Sequence, residues 1–357
     1  MKRIGNLYDK IISVQNLRLA DEKARRGKSR QYGVRHHDRN REANIMALHE
    51  ALLTKTYKTS RYEVFTVFEP KERLIYRLPY YPDRIVHHAI MNVLESLWVS
   101  IFTHNTFSCV KNRGIEGCAR SVERHIRKYI GKPLYILKID IKKFYPLMPH
   151  STIKRMVRWK IKDKDLLWLL DEIIDSVNGT PHPVYPGEIC NGESLPIGNY
   201  LSQYLANLVL APFMHKVNEE WKIDADEYAD DLTFYGESST ELHEAFRTKI
   251  KPYLENELHL KVKDNWQIFP LAINRQDKHG RALDFVGYKF YREQKLIRKS
   301  IKQNFCRTVA KLNRQHPAPS LSNYKQKVAS WLGWAQHSNS KHLLKTIIKP
   351  EYQHGIL

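Results

Sequence analysis

Three carboxylates are the residues best placed by type and spacing to do chemistry. Asp140 closes the apolar run Leu134-Tyr135-Ile136-Leu137-Lys138-Ile139, and Asp230 and Asp231 stand side by side in Tyr228-Ala229-Asp230-Asp231. Adjacent like charges within β-prone sequence repel one another, and the repulsion calls for a compensating charge. A divalent cation supplies it. Two Mg²⁺ ions can be held by few carboxylates when substrate phosphates and water provide the remaining ligands. In two-metal phosphoryl transfer, one ion activates the attacking hydroxyl and the other neutralises the leaving pyrophosphate. Each fragment also has a plainer reading. Asp140 alone can be a helix or turn cap, and Asp230-Asp231 alone can be an exposed hairpin turn. The carboxylates lie far apart in sequence, so the fold must bring them together.

The flanking sequence suggests the elements that would position them. Residues 134–139 read as a buried strand ending on Asp140. Two short β-prone pieces flank the Asp230-Asp231 turn, with Leu232-Thr233-Phe234-Tyr235 on the far side. Residues 1–60 read as helical and polar, with a loop around Gly27–Gly33. Arg61–Phe68 and Arg73–Leu78 read as strands joined by the turn Glu69-Pro70-Lys71-Glu72. A helix follows Pro82-Asp83, with Asp83 as its N-cap and Ile85, Val86, Ala89, Ile90, Val93, Leu94 and Leu97 at helical spacing. A basic helix is expected across 118–130, helices across 150–177, and a Gly- and Pro-rich loop at 178–196. A helix runs from Leu201 to about Glu220, with Pro212 a potential kink. Glu241–Leu258 reads as an amphipathic helix, Phe285–Tyr291 as a strand, and 300–348 as helical with a break at Pro317-Ala318-Pro319.

The charge balance indicates the partner. The 357 residues carry 59 Lys plus Arg against 38 Asp plus Glu, a net charge of +21, and 42% are hydrophobic. That is enough apolar content for two or three packed lobes and too much for a disordered chain. A polyanion is implied, nucleic acid first and a membrane surface second. No signal peptide, long apolar span, amphipathic anchor or lipidation signal supports the membrane. The four cysteines form no CxxC pair, which fits a reducing cytosol and argues against a disulfide scaffold or zinc site. Residues 21–42 hold eight Lys or Arg against four acids, and 289–314 hold nine against Glu293 alone, interleaved with Phe290, Tyr291 and Phe305. Cations among aromatic rings suit a sugar-phosphate backbone with stacked bases. His36-His37 and His87-His88 have no further ligands at supporting spacing and read as structural or surface residues.

Leu137-Lys138-Ile139-Asp140-Ile141-Lys142-Lys143-Phe144-Tyr145 followed by Tyr228-Ala229-Asp230-Asp231 resembles the active site of reverse transcriptases, over about residues 60 to 345. The resemblance implies an α+β right-hand polymerase fold: fingers, a palm with a small antiparallel sheet plus helices, and a helical thumb. It divides the chain into a basic helical extension (1–60), fingers (61–133), palm (134–284, with a loop and motif insertion at 178–203), and a primer-grip hairpin with thumb (285–357). By this resemblance Asp140, Asp230 and Asp231 are catalytic, and Asp140, Ile141, Asp230 and Asp231 hold two Mg²⁺ ions, with Mn²⁺ as an alternative. Lys71 and Arg73 would grip the incoming triphosphate as cationic clamps. Tyr145 resembles the steric gate that excludes a ribose 2′-OH, and Phe285-Val286-Gly287-Tyr288 resembles the hairpin that holds the primer end. The implied partners are an RNA template, a DNA or RNA primer and dNTPs.

Two departures narrow the resemblance. Most relatives read QGxxxSP before the long palm helix, whereas this chain reads Leu195-Pro196-Ile197-Gly198-Asn199-Tyr200-Leu201-Ser202-Gln203. Ile197 in place of Gln, and Gln203 in place of Pro, resemble reverse transcriptases of diversity-generating retroelements, which copy a template RNA with errors opposite adenines. Replacing an amide with an apolar side chain removes a hydrogen bond near the nascent base pair and weakens discrimination. Gly198 would allow close backbone approach. Val110 stands where many relatives have Arg, with Lys111 or Arg113 as substitutes. This subtype implies a small basic accessory protein and a cytoplasmic enzyme of bacterial or phage origin. The alternatives are a stand-alone defence or retron-like reverse transcriptase, and a polymerase-like RNA-binding protein without catalysis, against which the intact Asp140, Asp230 and Asp231 count.

Overall fold

The computed structural model describes residues 3–68 and 72–356. The chain forms two compact units, and helices and strands are numbered along the chain. The first unit comprises Met1–Val110, Asp140–Lys222 and Arg247–Asp264. It holds α1 (Tyr8–Ile12), α2 (Val14–Ala24), α3 (Tyr32–Asp38), α4 (Arg41–Leu53), the antiparallel ribbon β1 (Glu63–Phe68) and β2 (Glu72–Arg77), α5 (Ile85–Ile101), α7 (His150–Lys160), α8 (Lys164–Asp175) and α9 (Ser202–His215).

Helix α5 buries Ile85, Val86, Ala89, Ile90 and Leu94 completely, as its helical spacing predicts. Its start differs from expectation. The segment Tyr80–Arg84 leads directly into α5 after a kink at Tyr81 (φ −108°, ψ 134°), and Asp83 caps nothing. The Asp83 carboxylate is buried instead and accepts from Tyr57 Oη (2.7 Å) and Ser60 N (3.0 Å), tying the 57–60 segment to the helix.

The basic stretch 21–42 divides by task. Buried Asp21 accepts from Arg25 (2.8 Å), Arg41 (2.6 Å) and Tyr80 Oη (2.5 Å), and Lys23 donates to Asn92 (2.6 Å). Those cations tie α2 to α4 and to α5. Arg26, Lys28, Arg30, Arg35 and Arg39 form no ion pair among the described residues and remain as surface charge.

The second unit comprises Lys111–Ile139, Ile223–Phe246 and Asn265–Leu357. Helix α6 (Gly114–Lys128) accompanies a four-stranded sheet in the order β4 (Asp224–Tyr228), β5 (Asp231–Gly236), β3 (Tyr135–Asp140), β6 (Gln267–Pro270). Asp140, the last residue of β3, is assigned to the first unit. After β5 the expected helix over 241–258 runs without interruption from Ser239 to Glu257, opening as α10 (Ser239–Ala245) and taking π-type hydrogen bonding at Phe246–Ile250 and Tyr253–Glu257. Pro252, which lacks an N–H, lies between the two π segments with helical backbone angles (φ −58°, ψ −40°). Leu242, Phe246, Ile250 and Leu254 are all buried, as the amphipathic spacing required.

A second difference falls at 285–291. In place of one strand there are β7 (Leu283–Phe285) and β8 (Tyr288–Phe290), followed by β9 (Lys295–Ile297) in an antiparallel sheet. Val286 (φ 39°) and Gly287 (φ 84°) form the connecting turn, a left-handed pair that reverses the chain. A Cβ on Gly287 would lie 2.3 Å from the Trp334 ring, so only glycine fits there. The chain continues as α11 (Lys299–Asn313), α12 (Leu321–Gln336), α13 (Lys341–Ile347) and α14 (Pro350–Gln353), with Phe305, Val309, Tyr324, Val328 and Leu344 in their core. The break between α11 and α12 contains Pro317-Ala318-Pro319, as expected. All four cysteines are free, and no helix among the described residues is long and apolar enough to cross a membrane.

Candidate active site

Strand β3 buries Ile136, Leu137 and Ile139, and this apolar anchoring delivers Asp140 to the strand's end. Its neighbour in the sheet, β5, begins at Asp231. Tyr228 pairs with Asp231 across the β4–β5 hairpin, leaving Ala229 and Asp230 as a two-residue turn. Ala229 has φ 56°, the left-handed conformation that such a turn demands and that a non-glycine residue adopts at a cost.

Lysines face the carboxylates within each unit. Lys263 Nζ lies 2.5 Å from Asp140 Oδ1. That oxygen is buried yet accepts no hydrogen bond, because the contact has ionic proximity without hydrogen-bond geometry. The pairing follows from the antiparallel bridge Ile141↔Val262 and from Lys263 N donating to Asp140 O (2.9 Å), which lays 261–263 alongside the end of β3. Lys138 Nζ donates to Asp284 O (2.8 Å) and lies 3.8 Å from Asp231 Oδ1. Among the described residues, no group of three His, Cys, Asp or Glu side chains is arranged to hold a metal ion. The donor chemistry nonetheless suits a hard cation: hard cations prefer carboxylate oxygens, and a buried carboxylate oxygen without a hydrogen bond stands against a displaceable ammonium.

The other candidates lie in the first unit. Tyr145 follows Asp140 in a turn, half-buried, and its carbonyl accepts from Leu195 N (2.8 Å). Ile197 O accepts from Tyr76 N on β2 (3.0 Å). Gly198, at φ 123°, comes so close to β2 that a Cβ would stand 2.7 Å from Tyr76 O, so the expected close approach is to main chain. Gln203 is exposed in the first turn of α9, and Arg73 is exposed on β2 opposite Val67. Lys71 lies outside the described residues. Gly198, Asn199 and Tyr200 line a cavity of about 200 Å³ with Ile75, Arg77 and Arg84. The sequence reading missed Lys138, Lys263, Arg77 and Arg84. A lysine inside the apolar β3 run and the two arginines that bracket residues 78–83 were the available signals.

His87 and His88 prove structural. His87 is buried, and burial first, then His88 and Arg84, pushes its pKa down to about 3; burial, then Arg84, pushes His88 down to about 4. His88 stacks on Tyr200 (4.3 Å between centroids, 15°). His87 has an ordinary value of 6.5, so the unfolded chain takes up a proton that the folded chain refuses. Its stabilising contribution is complete above pH 6.5 and is lost as pH falls toward 3. The expected slope is about 1.4 kcal/mol per pH unit for that one proton. Urea unfolding at pH 6.5 and 4.5 should show a shallower pH dependence for His87→Met; identical slopes would remove this assignment.

Residues 69–290, more than half of the chain, match the sequence model of the family described as reverse transcriptase (RNA-dependent DNA polymerase). The chain belongs to the reverse transcriptase family. Its members are nucleotidyltransferases and generally use divalent metal ions. Among solved structures, this reverse transcriptase is similar to apo telomerase from Candida tropicalis, with a TM-score of 0.50 at 10% identity, covering 82% of this chain and 59% of that one. Telomerase from Candida albicans with a TWJ fragment of telomeric RNA gives a TM-score of 0.48 at 11% identity, covering 84% of this chain and 59% of that one. The chain thus spans 59% of the length of each telomerase chain. The likeness to the Candida tropicalis enzyme shows the fold alone: mixed helix and strand, with a small antiparallel sheet. No curated protein matches the sequence.

Proposed function

We propose that this reverse transcriptase copies an RNA template into DNA by two-metal nucleotidyl transfer. The observation that carries the reading is the placement of acids on one sheet, Asp140 closing β3, and Asp231 opening β5 with Asp230 in the turn just before it, within a reverse transcriptase match. The primer 3′-OH attacks the α-phosphate of the incoming dNTP, and pyrophosphate leaves. Asp140, Asp230, Asp231 and Ile141 would hold two Mg²⁺ ions, which when bound lower the hydroxyl's pKa and offset charge on the leaving group. Lys138 and Lys263 keep the carboxylates neutralised beforehand. Arg73 and Lys71 bind the triphosphate, and the Tyr145 ring excludes a 2′-OH. The regions 1–60, 61–133, 134–284 and 285–357 serve as extension, fingers, palm and thumb. The cations of α11, with Lys289, follow the template–primer duplex, and Arg26, Lys28, Arg30, Arg35 and Arg39 hold structured RNA or a small basic accessory protein's RNA complex.

We assign the enzyme to the error-prone, diversity-generating type, in a cytoplasmic bacterial or phage setting. The support is Ile197 and Gln203, which leave no amide in the Ile197 position beside Gly198. Extension of a DNA primer on RNA with dNTPs and Mg²⁺ tests the activity. Product sequencing tests the subtype: misincorporation should concentrate opposite template adenine. Uniform accuracy at all four template bases would favour the stand-alone defence or retron-like alternative. Tyr145→Ala should reduce the dNTP over rNTP preference at least tenfold, about 1.4 kcal/mol of discrimination. An unchanged ratio would end the steric-gate assignment.

A further inference from the structure

Strand β4 carries two fully buried acids, Asp226 and Glu227, just ahead of the Ala229-Asp230 turn. A sheet strand gains nothing from buried carboxylates as such, since desolvation must be offset by strong partners. For Asp226 the partners are explicit. Its Oδ2 accepts from Tyr235 Oη (2.8 Å), and His125 Nδ1 lies 3.0 Å from the same oxygen. The rings of His125 and Tyr235 are 4.7 Å apart. One carboxylate oxygen therefore joins three elements: β4 through Asp226, β5 through Tyr235, and α6 through His125.

A second grip lies at the other end of β4. Asp224 Oδ2 accepts from Lys128 Nζ (2.6 Å) and Tyr129 Oη (3.0 Å), at the C-terminal end of α6. Asp224 and Asp226 pair with Tyr235 and Thr233, and the next residue on that face, Tyr228, pairs with Asp231. The α6 contacts thus secure the hairpin face on which Asp231 lies, one rung beyond Asp226. An apolar contact tolerates sliding, whereas hydrogen bonds to a buried charge are directional and lose strength steeply with misalignment.

We infer that His125 is a positioning residue for the Asp230-Asp231 turn: from α6 it holds Asp226 against Tyr235 and so sets the direction in which the hairpin presents its two carboxylates. His125 touches neither substrate nor metal in this role. The inference rests on the proposed nucleotidyl transfer for its catalytic readout, but its structural readout is independent of that reading.

The test compares His125→Leu, which removes the donor, with His125→Asn, whose amide nitrogen occupies the place of Nδ1. Misplacement of reacting groups by about 1 Å can cost about 100-fold. His125→Leu should therefore lower kcat for primer extension by about 10- to 100-fold with the KM for dNTP within about threefold of wild type. Amide hydrogen exchange over residues 228–231 should accelerate in the same variant. His125→Asn should restore both readouts to near wild type. If Asn recovers no more than Leu, or if kcat falls only in proportion to the fraction of folded protein, the positioning role is overturned. Tyr235→Phe removes the other donor with little change in volume and should give the same kcat loss and faster exchange, so the test survives a Leu variant that fails to fold. A wild type inactive in primer extension would sink the proposed function, while the exchange comparison would still decide the role of His125.

Discussion

Asp230→Asn is expected to lower primer extension by about 10³-fold or more, equivalent to about 4 kcal/mol of transition-state stabilisation. The substitution is nearly isosteric and keeps the turn's hydrogen-bonding capacity, so the hairpin should fold as before. It also removes one of two adjacent like charges, so thermal stability should be unchanged or slightly higher. The comparison needs both measurements on one preparation: single-nucleotide extension on RNA with dNTPs, and a thermal midpoint. Asp230→Asn extending as fast as wild type would rule out a metal-holding role for this carboxylate. Loss of activity together with a large drop in midpoint would instead identify a folding defect.

The second large effect is expected at Gly198. A Cβ there would meet Tyr76 O at 2.7 Å, and the backbone sits at φ 123°, a region that L residues rarely adopt. Gly198→Ala must therefore push the 197–200 segment away from β2 and strain its own main chain, at roughly 1–3 kcal/mol for the conformation alone. Tyr76 N donates to the neighbouring Ile197 O, so the displacement would also break the bond that holds this segment to the ribbon. Activity should fall by about 10- to 100-fold with an increased KM for dNTP. Wild-type kinetics in Gly198→Ala would show that the close approach to Tyr76 has no part in substrate binding.

Much of the site was legible because its signals are local. The apolar run ending on Asp140 is a strand, and Tyr228-Ala229-Asp230-Asp231 is a hairpin turn, because alternation and turn chemistry act over a few residues. Helical spacing likewise located the buried face of α5. Local rules failed where a distant partner competed. Asp83 had the features of an N-cap, but Tyr57 and Ser60 claim its carboxylate. Phe285–Tyr291 had the composition of one strand, but Val286 and Gly287 turn the chain under Trp334.

The sequence by itself determined which residue types were present for the proposed nucleotidyl transfer, the order of the motifs and the local elements bearing them. It also determined a large cationic surplus, from which a polyanionic partner is the expectation. Only the tertiary structure decided how that surplus is spent. Arg25 and Arg41 neutralise buried Asp21, Lys263 and Lys138 face Asp140 and Asp231, and five cations of residues 21–42 have no ion pair among the described residues. It alone put His125 and Tyr235 on Asp226. Local conformation follows from each residue's own sterics and near neighbours, and can be read along the chain. Charge pairing depends on which distant segments the packed core brings within a few ångströms, and that proximity is encoded only in the fold.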